Sequence, residues 1–225
     1  MSEVEKLQQE LLSICHGNGA DTAPLKRILK QLEEADAVGY SRDGLGQYPL
    51  HIVAEKGNLA FAKILVVEDG ADIDCKTPTG QTPLIWAVAG NHVAMVEFLV
   101  GMCANVNARN WSSDRQAPLH WAAKQCDGEM VKRLIALGAD VDIGKDIGEY
   151  TPLHLACLTN NQASAKALLD AGADYTAKDA SGKTPFDYNQ EIESKFRAEI
   201  GQDIVSSMDT DNAPALPRRS SGMSL

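Results

Sequence analysis

The sequence predicts an all-α solenoid: helix-turn-helix units stacked side by side and joined by β-hairpin-like loops. Two recurring phrases and one spacing carry this expectation. The first phrase reads Tyr48-Pro49-Leu50-His51, Thr82-Pro83-Leu84-Ile85, Ala117-Pro118-Leu119-His120, Thr151-Pro152-Leu153-His154 and, in shortened form, Thr184-Pro185-Phe186. Its prolines recur every 34 residues or so, about the period of helical repeat arrays. The second phrase falls between the copies of the first: Gly70-Ala71-Asp72, Cys103-Ala104-Asn105, Gly138-Ala139-Asp140 and Gly172-Ala173-Asp174. Each unit is too small to bury its own apolar face, so neighbours must stack.

The residue types explain the local structure. Thr at the first position is a good N-cap, because its hydroxyl can accept an orphan amide of the first turn. Proline fits the first helical position, where a missing N–H costs nothing. Gly57, Asn91 and Asn160 suit the left-handed backbone that ends a helix. A second helix follows, as in Met95-Val96-Glu97-Phe98-Leu99, and ends at the second phrase. Together these phrases resemble the ankyrin repeat, over roughly residues 43 to 190.

In chain order, residues 1–42 hold two amphipathic stripes without the proline phrase. Leu7, Leu11, Leu12 and Cys15 form one; Leu25, Ile28, Leu29 and Leu32 form the other. This pair reads as an N-terminal helical cap, a diverged repeat with a charged outer face. Repeat 1 spans 43–76, with Tyr48 in place of the capping Thr and one extra residue near Val67-Glu68-Asp69. Loss of that cap is expected to weaken the helix start by roughly 1 kcal/mol. Repeat 2 spans 77–109 and carries Ile85 where the family has His. Cys103 stands where glycine is expected, so a left-handed backbone there would store about 1 kcal/mol of strain. Repeat 3 spans 110–144, with a lengthened loop at Asn110–Gln116 and Ala117 at the cap. Repeat 4 spans 145–178 and follows the pattern most closely. Residues 179–200 form a C-terminal capping repeat, and 201–225 read as a disordered tail rich in Ser, Asp, Pro and Arg.

A formal charge of −10 argues against nucleic acid or an anionic membrane as the main partner. Five scattered cysteines, without metal-ligand spacing, fit reduced thiols in a cytoplasmic or nuclear protein. The acidic N-terminus does not read as a secretory signal, and no apolar run has the length of a membrane span. No Gly-x-Ser-x-Gly, phosphate-binding glycine loop or His-Glu-x-x-His occurs. Neither catalysis nor a cofactor is expected, and the chain is expected to be monomeric on its own.

His51, His120 and His154 share one repeat position. Stacked repeats would hold them about 8–10 Å apart, the spacing of packed helices. Zinc needs nitrogens at about 2.1 Å, so a joint metal site is not expected. The resemblance implies instead that each histidine bonds within its turn and to the next repeat. It also implies a concave groove, lined by hairpin tips and first helices, that binds a partner protein. Positions there that depart from the phrase are the candidate contacts. They are Leu45, Gln47, Glu55 and Lys56 in repeat 1, and Thr79 and Gln81 in repeat 2. Repeat 3 contributes Trp111, Asp114, Arg115, Lys124 and Gln125; repeat 4 contributes Ile147, Glu149, Tyr150 and Leu158. Trp111 leads, as a tryptophan in a polar, lengthened loop, because Trp, Tyr and Arg dominate interface hot spots. Trp86 and Trp121 lie within first helices and read as packing residues.

Two modification motifs stand apart. Asn107 resembles the hairpin asparagine that an oxygen-sensing hydroxylase modifies in ankyrin repeats, although Asn105 replaces the usual acidic residue before it. Arg218-Arg219 ahead of Ser221 resembles a basophilic kinase site. The functional expectation is a protein-recognition module, adaptor or inhibitor. The alternatives are a regulatory subunit of an enzyme complex, and an enzyme or small-ligand sensor with an unrecognised pocket.

Overall fold

A computed structural model of the chain describes residues 2–17, 19, 21–35, 42–111, 115–144 and 149–198. The expected tail, Asp114, Ile147 and Ser221 lie outside them. Paired helices follow one another: α1 (Glu3–His16) with α2 (Ala23–Glu34), α3 (Pro49–Glu55) with α4 (Leu59–Lys63), α5 (Pro83–Ala89) with α6 (Val93–Gly101), α7 (Pro118–Gln125) with α8 (Gly128–Ala136), and α9 (Pro152–Leu158) with α10 (Gln162–Asp170). A short α11 (Pro185–Tyr188) and helical backbone over 190–198 complete the described stack.

First helices form one layer, with α1 against α3, then α5, α7, α9 and α11 in turn. In the second layer α4 meets α6 and α8 meets α10. The phrase leucines Leu50, Leu84, Leu119 and Leu153 are all at most 1% exposed. Each such burial contributes about 1.5–3 kcal/mol. The loops are hairpin-like without forming strands among the described residues. Single backbone bonds close them, Asp43 N–H to the Gln47 carbonyl at 2.9 Å and Thr77 N–H to the Gln81 carbonyl at 3.0 Å.

Sequence irregularities have visible solutions. The extra residue of repeat 1 is absorbed where α4 continues as a π-helical turn, Ile64–Glu68. In later repeats the alanine after the helix stop donates to the carbonyl five residues back, as Ala139 does to Leu134; Ala71 reaches six back, to Leu65. A π turn is the usual way for a helix to hold one added residue. Gly57, Asn91 and Asn160 do adopt positive φ, at 68°, 56° and 54°.

Cys103 also sits at φ 68° with an exposed side chain. Its Cβ crowds the backbone there, whereas glycine would not. Glycine also gains freedom in the unfolded chain, which offsets part of the relief. Cys103→Gly is therefore expected to stabilise the fold by about 0.5–1 kcal/mol, read from urea midpoints at unchanged slope. A loss of stability would show that the thiol makes a compensating contact.

The expected Thr cap forms at Thr151 and not at Thr82. Thr82 Oγ1 is buried with no hydrogen-bond partner, and Thr151 Oγ1 accepts the His154 amide at 3.4 Å. The histidine ring makes the other half of the capping box: it accepts the N–H of the cap residue itself, equally well at Tyr48, Ala117 and Thr151. At Tyr48 the His51 N–H has no side-chain acceptor and bonds the Tyr48 carbonyl at 2.9 Å, in keeping with the weaker helix start expected there.

Candidate partner-binding surface

The scaffold of the surface is a series of histidine straps. His51 Nδ1 accepts the Tyr48 N–H at 3.2 Å while Nε2 donates to the Gln81 carbonyl at 2.9 Å. His120 does the same with Ala117 (3.1 Å) and Tyr150 (2.8 Å). His154 joins Thr151 (3.1 Å) to Lys183 (3.1 Å). Each ring thus caps its own helix and ties it to the next hairpin, in one fixed tautomer. The equivalent position in repeat 2 is Ile85, which is 1% exposed and can form no such strap. That junction precedes the lengthened loop, and it is also where Thr82 Oγ1 has no partner.

Two of these rings, His51 and His154, resist protonation. Burial lowers the pKa of both His51 and His154 below the ordinary 6.5. A proton on Nδ1 would also face the amide that Nδ1 now accepts. Between the lowered native values and 6.5, the unfolded chain binds protons that the native chain refuses. Stability therefore rises with pH in this window. The contribution is complete above 6.5 and is lost as pH falls toward the native values. The melting temperature is expected to fall between about pH 7 and pH 5 at constant ionic strength, and to fall less in His51→Gln/His154→Gln protein. Identical slopes for the two proteins would contradict this assignment.

The hairpin tips interlock into a ridge. Pro78 of the second tip lies over Gly46 of the first, where an added Cβ would come within 2.5 Å of the proline ring. Trp111 lies over Gly80 in the same manner, and its N–H donates to the Thr79 carbonyl at 2.8 Å. Gly46 and Gly80 both have φ of 78°, so a side chain is excluded by conformation as well as by space. Lys76 Nζ stands 5.2 Å from the Trp111 ring centre. Trp111 therefore has a seat on the preceding hairpin, which its polar sequence context did not suggest, yet it remains 65% exposed. Leu45 is 75% exposed at the start of the same ridge. Thr79 is exposed between them. Pro78 belongs to the ridge and was missed, because proline in a loop reads as a turn former.

Other candidates divide into exposed and engaged residues. Glu55, Lys56, Lys124, Gln125 and Leu158 are exposed at the ends of first helices. The Glu55 carbonyl accepts from His92 Nε2 at 2.7 Å. Gln47 is corrected: it is 5% exposed, and its backbone closes the hairpin on Asp43, so its side chain does not face the groove. Gln81 is half-buried, its carbonyl bonded by His51. Glu149 pairs with Arg109 and approaches Arg115 at 3.9 Å. Tyr150 packs edge-on against His154 and Tyr188. Both are half-buried and act as supports for the neighbouring surface. Arg115, with φ of 42° and a side chain 57% exposed, is held from behind by Arg109 Nε on its carbonyl at 2.7 Å. Trp86 and Trp121 are partly buried against the core, as expected. Asn107 is a bridge: its Oδ1 accepts the Asp140 N–H at 2.9 Å and its Nδ2 donates to the Gly138 carbonyl at 3.4 Å.

Three of the cysteine thiols are held protonated. Burial pushes the thiols of Cys15, Cys75 and Cys157 up to about 12, far from a nucleophilic thiolate at neutral pH. The three phrase histidines serve three different hairpins.

Stacked helix pairs, interlocked tips and straps define an ankyrin-type solenoid, and sequence comparison agrees. Residues 12–110 and 102–179 match the family of ankyrin repeats (3 copies), and the chain belongs to that family. Ankyrin repeats are in general protein–protein interaction modules without catalytic activity. Among relatives, transient receptor potential cation channel subfamily A member 1 of Homo sapiens is 30% identical over 68% of this chain and 14% of the channel. An ankyrin repeat protein of fowlpox virus is 33% identical over 65% of this chain and 32% of its own length. Ankyrin repeat and SOCS box protein 11 of Danio rerio is 38% identical over 47% of this chain and 35% of its own. The chain thus spans about a third or less of these relatives. No helix among the described residues is long and apolar enough to cross a membrane.

Proposed function

We propose that this chain is a non-catalytic recognition module that binds a partner protein along its hairpin ridge and first-helix ends, as an adaptor or inhibitor. The observation that carries the reading is the ridge itself. Leu45 and Trp111 are 75% and 65% exposed, yet both stand on tips locked to their neighbours by Gly46–Pro78 and Gly80–Trp111 packing. Large exposed apolar side chains on a rigid frame are what an interface hot spot requires. Preorganisation also keeps the ordering cost of binding low on the receptor side. Leu158, 51% exposed at the end of α9, extends the surface toward repeat 4.

Site-specific photocrosslinking tests this proposal. A benzophenone amino acid at position 45 or 158 is expected to capture the same protein from the native source. Placed at Lys132, an exposed position on α8 in the other layer, it should capture none of that protein. Equal capture from position 132 would sink the assignment of the face.

A further inference from the structure

A large cavity of about 730 Å³ opens beside the hairpin ridge, where the amino-terminal helix pair meets repeat 1. Its floor is apolar, built by Leu29 and Leu32 of α2 and Leu50 of α3. Tyr48 and Trp111 supply aromatic walls, and Glu33, Asp69 and Asp72 add carboxylates to its lining. The volume lies within the range of about 300–1,000 Å³ usual for ligand pockets.

The charges of this cavity do not balance. Its cations are both committed to aromatic faces. Arg42 lies 4.7 Å above the Tyr48 ring and donates to the Tyr48 hydroxyl at 2.8 Å; Lys76 lies over Trp111. Asp74 is also occupied, its carboxylate accepting the Asn105 N–H at 3.2 Å. Among the described residues no cation pairs with Glu33 or Asp69, although Lys26 nearby pairs with Glu68 at 2.9 Å. Partial burial, and then the negative charge of Glu33, raise the pKa of the Asp69 carboxyl from its ordinary value. Two mutually repelling carboxylates in the lining of one apolar cavity are stabilised by an incoming cation.

We propose that this cavity receives a basic segment of a partner protein. An arginine or lysine side chain enters between Glu33 and Asp69, and a flanking apolar residue rests on Leu29, Leu32 and Leu50. Charge complementarity selects this occupant: an acidic segment would meet the same unbalanced carboxylates and be repelled. The inference rests on the recognition function proposed above and adds the chemistry of the partner. Trp111 belongs to both surfaces, so one partner can cover the ridge and fill the cavity together.

The test is fluorescence anisotropy on the full chain with a short fluorescein-labelled peptide of arginine, leucine and glycine. Its counterpart has glutamate in place of arginine. The basic peptide is expected to bind and the acidic one not to bind. Glu33→Gln/Asp69→Asn should weaken binding at least tenfold. Glu129→Gln/Glu193→Gln, which removes equal charge elsewhere on the molecule, should leave it within twofold. Equal weakening by both pairs would mean attraction to bulk charge only and would overturn the proposal, as would failure of the basic peptide to bind. All four positions are exposed except the half-buried Glu193, and melting curves of both pairs check that the fold is intact. If the partner captured from position 45 is held equally by Glu33→Gln/Asp69→Asn protein, the ridge reading stands and the cavity reading falls.

Discussion

Replacing His154 with alanine is expected to destabilise the fold by about 3 kcal/mol, a large fraction of the stability of an ordinary domain. The imidazole is 0% exposed and holds two backbone groups at once. Without it the Thr151 N–H loses its acceptor in a buried site, which costs about 1–3 kcal/mol. The Lys183 carbonyl keeps a second donor, the Asp179 N–H at 2.9 Å, so its loss is smaller. The vacated ring leaves a cavity against Tyr150 and Tyr188, whose rings are 5.9 and 6.3 Å from it. Cavities of this kind add a further cost that grows with unfilled volume. His154→Gln is the informative companion. Its side chain can still reach back to the cap amide, as Gln does in a capping box, but has no second nitrogen placed for Lys183. About half of the loss should return. Urea unfolding of the three proteins measures this. A loss below 1 kcal/mol for alanine would mean that the straps decorate an interface stabilised by apolar packing alone.

Trp111→Ala is expected to lower affinity for the partner more than tenfold while costing at most about 1 kcal/mol of stability. The two effects separate because of where the ring sits. Its inner side covers Gly80 and Lys76, and its remaining 65% faces outward. Removal therefore deletes mostly exposed area in the free protein and mostly buried area in the complex. Trp111→Phe keeps the seat on Gly80 and should recover part of the affinity. Calorimetric titration and thermal melting, run on the same preparations, distinguish this outcome from a structural role. A fall in melting temperature as large as that of His154→Ala would assign Trp111 to the scaffold.

Much of this architecture was legible from residue order because it repeats. A period near 34 residues, left-handed stops at Gly57, Asn91 and Asn160, and an added residue before Gly70 are local features with local consequences. Cys103 could be read as strained because every other copy of its phrase has glycine there. The histidine straps followed from family resemblance and stacking geometry, and the structure supplies both of their bonds. Local reasoning failed in other places. Thr at the cap position forms its own half of the capping box at Thr151 and not at Thr82, and the Thr-Pro-Leu of the phrase does not separate the two. Gln47 looked variable and therefore free, but hairpin closure buries it. The cavity was not legible at all, because it joins α2, the loop after α4 and a tryptophan roughly 80 residues further along. No periodicity links those positions; the solenoid brings them together.

The central claim is that function resides in the locked, exposed ridge and not in the repeating phrase. Quantitative affinity capture from the native source, comparing wild type with Trp111→Ala/Arg115→Ala, tests it most directly. The expected result is one or more proteins retained by wild type and depleted at least tenfold by the double variant, with both baits folded by melting analysis. Recovery of the same proteins in equal amounts from both baits would contradict the claim and move recognition elsewhere on the molecule.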